Sequence, residues 1–519
     1  MKPSDSTEIA NPSLRYSILA SHALAICVIV SLAYYAVYPL FNKAPWIAYE
    51  EDDFFYYLKI AGNLAHGFGS TFNGIVSTNG YHPLWLVLLT TVLRVSSSTV
   101  TVPIFLACAT FCASLVTYIL CRRLLVDYVD NPLLTRAMAG FVAVYSMHVF
   151  NCGMEIILTI PLLLAVAVVY QNQSLWLPKF IPSLGFGLLL SALILSRLDT
   201  LLVVILLGLA TLLHPTLRAG VHARQLAGVL LGLTPVFFYF LSNRALFGTW
   251  LPISGMAKQL KTNHLPSLPA WHSLVIAGQL PHAICVLIAI LILPAVFTKL
   301  TVRQQALYPV LLVFPFLYIF ILSCLSDWQL WNWYFYSLRA AVCVSFAIFI
   351  LWRPTNRLLT NIWVSIAIGL VVLTQVLRSR REPEGFVMYP VAMDVSNFAA
   401  THPGVYAMGD RAGMLGFLLP DPLVQTEGLV MDREFLSLIR KRTPLKEVLA
   451  EYKVRYYIAM RYGDTPVAPC FYAVEPLQAG PASPHIEGNF CQPPSTIFRH
   501  IWGDALIFDL GPRETSTRH

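Results

Sequence analysis

Residues 50–66 read Glu-Glu-Asp-Asp-Phe-Phe-Tyr-Tyr-Leu-Lys-Ile-Ala-Gly-Asn-Leu-Ala-His, and residues 78–85 read Thr-Asn-Gly-Tyr-His-Pro-Leu-Trp. Four consecutive carboxylates, Glu50 to Asp53, follow the first long apolar segment of a chain in which only 12% of residues are charged. Acids at a membrane boundary are costly unless something uses them, so chemistry is expected here. Beyond them, Phe54, Leu58, Ala61 and Ala65 repeat at helical spacing, while Asp52, Tyr56, Lys59 and Asn63 mark a second, polar face. The pattern predicts a helix over 52–65 lying on the membrane surface. Asp52 falls at its positive dipole end, where a carboxylate stays ionised, and His66-Gly67-Phe68-Gly69 ends it. Such a carboxylate suits a general base acting on a hydroxyl; the plainer alternative is that the acids cap a surface helix.

Across the whole chain, 57% of the 519 residues are hydrophobic and the mean hydropathy is +0.64. Soluble domains carry roughly 25% charged residues, so the composition is that of an integral membrane protein. The formal charge of +8 reads as topology. No basic run interleaved with aromatics suggests nucleic acid. The run 16–40 is too long for a signal-peptide core and reads as a retained span. Further apolar segments fall near 102–121, 133–151, 154–171, 180–196, 200–214, 225–246, 273–298, 305–325, 332–352 and 358–377, while 81–97 is short and contains Arg94.

The expected fold is a polytopic α-helical membrane module over 1–378, with about eleven spans, and a soluble α/β domain over 379–519. With a cytoplasmic N-terminus, the loop basics (Arg122, Arg123, Arg136, Lys179, Arg218, Arg224, Lys299, Arg303, Arg353 and Arg357) fall on the cytoplasmic side. The first external loop (41–101), Glu155, the 247–272 loop and the C-terminal domain then face outward. Lys258, Lys261 and the cluster Arg378, Arg380 and Arg381 are exceptions to the rule. In an oxidising compartment Cys470 and Cys491 are candidates to pair; two free buried thiols are the alternative.

The acidic helix followed by Thr-Asn-Gly-Tyr-His-Pro-Leu-Trp resembles the first external loop of polyprenyl-phosphate-sugar-dependent membrane glycosyltransferases of the GT-C fold. That class includes protein mannosyltransferases and the aminoarabinose transferase of lipid A. Gly153-Met154-Glu155, the run Phe247-Gly248-Thr249-Trp250-Leu251-Pro252-Ile253-Ser254 leading to Lys258, Gly409-Asp410-Arg411-Ala412-Gly413 and Glu427-Gly428-Leu429-Val430 resemble further blocks in order. Glu427 stands where Asp is more usual, and Met431-Asp432 replace an expected Asn, which leaves the C-terminal blocks without an assigned role.

The resemblance implies transfer of a hexose, pentose or amino sugar from a polyprenyl phosphate to an acceptor hydroxyl on lipopolysaccharide, a glycan or a protein. The setting it implies is cell-envelope biogenesis at the periplasmic face of a bacterial inner membrane. Asp52, with Asp53 beside it, would take the hydroxyl proton as C1 is attacked from the face opposite the phosphate, inverting the anomeric centre. The departing phosphate needs positive charge, and Lys59, Lys258, Arg197 and Arg339 are the candidates; His82 and Glu155 would position substrate. Arg339 lies within an apolar span, where a lipid phosphate would satisfy it; a structural pair with Asp327 or Glu155 is the alternative. Arg197-Leu198-Asp199 reads first as a structural pair. A divalent metal would draw on Asp52 and Glu155. Trp328, Trp331, Trp333, Tyr334 and Tyr336 suit either an interfacial belt or sugar stacking. The competing class is a transporter or flippase of lipid-linked sugars, but the sequence has no paired repeats.

Overall fold

The computed structural model describes residues 12–352 and 385–511, apart from 43, 97, 99, 128–131, 464–468 and 502, together with Gly369. The apolar segment 358–377 and the basic cluster Arg378, Arg380 and Arg381 lie outside the described residues. Among those described, six helices are long and apolar enough to cross a membrane: Leu19–Phe41, Thr101–Leu125, Ala223–Phe247, Leu280–Lys299, Val302–Leu325 and Asn332–Trp352. Pro132–Phe150 and the shorter apolar helices Pro83–Val95, Ile156–Gln171, Phe180–Ser196 and Leu198–Leu213 occupy the other expected positions. The segment expected at 273–298 divides instead. Leu268–Ile276 ends at Gly278, whose φ of +65° is a left-handed turn, and a new helix begins at Leu280.

Outward-facing Leu213, Phe237, Phe238 and Leu291 are exposed, as side chains meeting lipid rather than water would be. Inside, Phe180–Ser196 meets Ala223–Gly232 through glycines. A Cβ on Gly187 would lie 2.4 Å from the Val229 carbonyl oxygen, and one on Gly232 only 2.6 Å from backbone of Gly187 and Leu188. Small residues let the two backbones touch, the close packing that replaces the hydrophobic effect within a bilayer. Ser191 uses that proximity to donate to the Gly232 carbonyl at 2.6 Å.

The C-terminal part is a mixed sheet with flanking helices. Strands β1 (Tyr406–Met408), β2 (Leu423–Gln425) and β3 (Tyr456–Arg461) pair in parallel; β7 (Gly503–Asp509) runs antiparallel to β3 and to β6 (Thr496–His500). β4 (Phe471–Glu475) and β5 (Ile486–Phe490) form a separate hairpin. Cys470 and Cys491 flank that hairpin and are joined by a disulfide.

The sheet domain is latched to the membrane module. Asp327 accepts from Ala482 N–H at 2.9 Å and from the Ser483 hydroxyl at 2.5 Å, and Thr262 N–H donates to the Ala482 carbonyl at 2.9 Å.

The acidic helix, Asp52–Ala65, ends in a Schellman motif: Phe68 N–H donates to Asn63 O at 2.8 Å and Gly67 N–H to Leu64 O at 3.2 Å. Its polar face is not left open to solvent. Phe54, Phe55, Ile60 and Ala61 are fully buried, and Asp52 and Tyr56 nearly so. The helix is held between Pro83–Val95 and a short helix of the sheet domain, Ala412–Leu418. Periodicity finds the face that turns inward; it cannot show that a distant domain covers the other one.

Candidate active site

The separate sequence blocks converge. Asn79 accepts from Ile253 N–H at 3.0 Å and donates to the Thr249 hydroxyl at 3.2 Å, stitching the Thr-Asn-Gly-Tyr-His-Pro segment to the 247–258 loop. A Cβ on Gly80 would fall 2.1 Å from the Leu429 carbonyl oxygen, so the Glu-Gly-Leu-Val block packs directly on the same segment. Gly153 has φ +65°, and a side chain there would strike Glu50 and the Phe54 ring. Its freedom brings Glu155 against the acidic helix.

Two cavities result. The larger, about 290 Å³, is lined by Asp53, His82, Glu155, Arg197, Asp199 and Lys258, with Trp328, Trp333 and Tyr334. The smaller, about 40 Å³, lies between the acidic helix and the sheet domain, and its wall includes Asp52, Asp53, Lys258, Asp410, Arg411 and Glu427. Of the carboxylates lining either cavity, Asp53 is the one common to both, and Lys258 is the one common cation.

The four acids have four environments. Glu50 and Glu51 point inward, and burial pushes both carboxyls up, Glu51 to about 7. The Asp52 carboxylate is clasped by two backbone amides, accepting from Gly413 N–H and Met414 N–H, each at 2.8 Å. Burial still raises Asp52 to about 7, the two amides opposing the shift. Asp53 opens onto the cavities. Burial raises its carboxyl, Lys258 draws it down, and Glu155 pushes it up again.

Lys258 donates to the Tyr334 hydroxyl at 2.9 Å and lies over the Trp328 and Tyr334 rings. Burial disfavours its charge, but the Tyr334 phenol and Asp53 outweigh that and keep it protonated. Glu155 accepts from Arg197 at 2.5 Å and from the Tyr57 hydroxyl at 3.0 Å. Arg197 also donates to Asp199 at 2.8 Å, and Tyr318 and Tyr336 donate to Asp199 at 2.5 and 3.0 Å. The Arg197–Asp199 pair read first as structural is therefore part of a network that reaches the cavity wall. His82 accepts from Leu198 N–H at its Nδ1 (3.3 Å), which assigns the proton to Nε2, 3.9 Å from Glu155. Burial lowers His82 and keeps the ring neutral.

Two expected phosphate ligands stand elsewhere. Lys59 donates to the Leu419 carbonyl at 3.0 Å, at the domain boundary, and lines neither cavity. Arg339 is fully buried, lies 4.2 Å from the Tyr145 ring centroid and donates to Phe335 O at 2.5 Å. It also lines neither cavity and pairs with neither expected acid, since Asp327 latches the sheet domain and Glu155 holds Arg197. The residues suggested for a metal do not converge: Asp52 is taken by backbone amides and Glu155 by Arg197 and Tyr57. Among the described residues no group of three or more His, Cys, Asp or Glu side chains is arranged to hold one.

No family model matches the sequence, and no curated protein matches it. Solved structures do match in fold. The aminoarabinose transferase ArnT from Cupriavidus metallidurans, bound to undecaprenyl phosphate, aligns with 95% of this chain and 99% of its own (TM-score 0.54, 13% identity). The oligosaccharyltransferase of Archaeoglobus fulgidus in its apo form aligns with 84% of this chain and 69% of its own (TM-score 0.50, 11% identity). The same enzyme tethered to an acceptor peptide aligns with 90% and 74% (TM-score 0.50, 11% identity). The likeness is one of architecture: the chain has the GT-C fold of these polyprenyl-phosphate-dependent glycosyltransferases.

Proposed function

We propose that this membrane protein is a glycosyltransferase that moves a sugar from a polyprenyl phosphate to an acceptor hydroxyl. The observation that carries the reading is Asp53, the carboxylate shared by a larger cavity that also holds Lys258 and Arg197 and a smaller polar one. The sugar phosphate occupies the larger cavity and the acceptor hydroxyl enters from the smaller. Asp53 accepts the hydroxyl proton as the acceptor oxygen bonds to C1. The C1–O bond to phosphate breaks, and its electron pair leaves with the lipid phosphate. Attack from the side opposite the phosphate inverts the anomeric centre. Lys258, with Arg197 behind it, offsets the charge gathering on the phosphate. Asp52 acts at one remove, as a positioning residue fixed by Gly413 and Met414.

The loop charges favour an external, periplasmic site, with the membrane module over 1–378 and the external domain over 379–519. Trp328, Trp333 and Tyr334, which line the larger cavity, suit sugar stacking there.

The test is transfer by the purified full chain from defined polyprenyl-phosphate sugars to envelope glycolipid, glycan and protein fractions. Release of polyprenyl phosphate together with labelled acceptor supports the reading. Movement of intact donor across a vesicle bilayer without cleavage would replace it with the flippase.

A further inference from the structure

Two residues of the smaller cavity's wall carry buried polar atoms that have no partner among the described residues. Glu427 is 3% exposed; its Oε2 accepts from Gln425 at 3.1 Å, but its Oε1 has no partner among the described residues. Trp328, 5% exposed, likewise leaves its Nε1–H without one. Both line the smaller cavity, on whose wall Asp53 also stands. A buried polar atom left unpaired is costly, so two on residues of one cavity wall point to a ligand that pairs them. Glu427 belongs to a block whose role the sequence left open.

We infer that the smaller cavity is an acceptor subsite for a saccharide, holding a second hydroxyl of the sugar against Glu427 and Trp328 while the reacting hydroxyl faces Asp53. This rests on the proposed transferase reading and names its acceptor class. Two polar stations require two hydroxyls on one molecule, which a sugar carries and a serine or threonine side chain does not. A volume of about 40 Å³ admits a hydroxyl-bearing edge rather than a whole ring, so the body of the acceptor remains outside.

Charge argues the same way. Asp410 lies 3.6 Å from Arg411, and Asp53 faces Lys258. Burial, with Asp410 and Glu475 nearby, raises the Glu427 carboxyl well above its ordinary value. Burial raises Asp52 as well, so the acids of this wall carry less charge than their number suggests, and with Lys258 and Arg411 paired to acids the pocket suits hydroxyls rather than phosphate. Tyr462 and Gln478 hold Asp410 in place at 2.6 and 3.1 Å, and Arg411 lies over the Trp331 ring at 5.9 Å, so the wall is preformed.

The experiment is saturation-transfer NMR on the detergent-solubilised full chain, with methyl glycosides of glucose, galactose, mannose and N-acetylglucosamine, their monodeoxy analogues, and N-acetylserine methylamide. At least one glycoside should bind. Removing one of its hydroxyls, or introducing Glu427→Ala, should weaken binding about tenfold, the loss of one buried hydrogen bond. Glu427→Gln keeps the shape and should fall between. Undecaprenyl phosphate binding should be unchanged in both variants, which separates a lost subsite from a lost fold. Glycoside binding insensitive to Glu427 and to every deoxy change, binding of the serine probe alone, or no glycoside binding would each overturn the inference. Glu427-dependent binding in a protein that cleaves no donor would instead preserve the saccharide site and defeat the transferase reading.

Discussion

The Asp52 carboxylate accepts from the Gly413 backbone N–H at 2.8 Å, joining residues 361 positions apart and tying the acidic helix to the sheet domain. Gly413 is required by proximity, because a Cβ there would fall 2.2 Å from the Asp52 carbonyl oxygen. Gly413→Ala should loosen the docked domain, visible as faster proteolysis near 385 and a lower melting temperature. Asp52→Asn replaces one accepting oxygen with a donor and should cost about 1–3 kcal/mol. Its loss of activity should follow its loss of stability.

Arg197 and Glu155 form a buried pair whose second partner is Asp199. Removing one member leaves an uncompensated charge, so Arg197→Met should destabilise the detergent-solubilised protein by about 3–5 kcal/mol. Arg197→Lys should also be damaging, since a single ammonium cannot reproduce two guanidinium contacts. Thermal unfolding measures both.

Glu475 carries the clearest pH signature. Burial raises its carboxyl from 4.5 to about 8, with the hydrogen bond from Tyr457 opposing the shift. The folded state then binds this proton more tightly than the unfolded chain. Stability contributed by the protonated form is complete below the unfolded pKa and declines as pH rises towards about 8. Glu475→Gln should flatten that decline and stabilise the protein on the alkaline side, read from unfolding curves across the same range.

The disulfide offers a test of orientation. Cys470 and Cys491 should resist a membrane-impermeant maleimide in intact cells until a reductant is added, then label from outside. Labelling only after cell lysis would place the sheet domain in the cytoplasm and reverse the assigned topology.

Much of this was legible in the sequence because it is local. Apolar length marked the helices, the Gly67 stop marked the end of the acidic helix, and ordered blocks marked which loops belong together. What was illegible depends on how distant segments meet. Asp52 and Asp53 are neighbours of identical chemistry, and only the approach of Gly413 separates a clasped carboxylate from an open one. Arg339 drew attention as an intramembrane charge, yet its side chain packs on Tyr145, away from both cavities; the direction it takes is set by helix packing, which spacing does not encode. Arg197 looked like half of a local pair until Glu155, 42 positions earlier, came within 2.5 Å. Glu427 looked like a departure from a familiar block and stands instead on the cavity wall.

Single-turnover transfer by wild type and Asp53→Asn is the sharpest test of the proposal that Asp53 receives the acceptor proton. Because burial raises the Asp53 carboxyl, wild-type activity should fall on acidification at a pH above the ordinary aspartate value of 3.8, as the base is protonated. Asp53→Asn should bind donor normally, lose about 10²–10⁴-fold in rate and lose the acid limb with it. Full-rate transfer by Asp53→Asn, with the acid limb intact, would show that Asp53 is not the base.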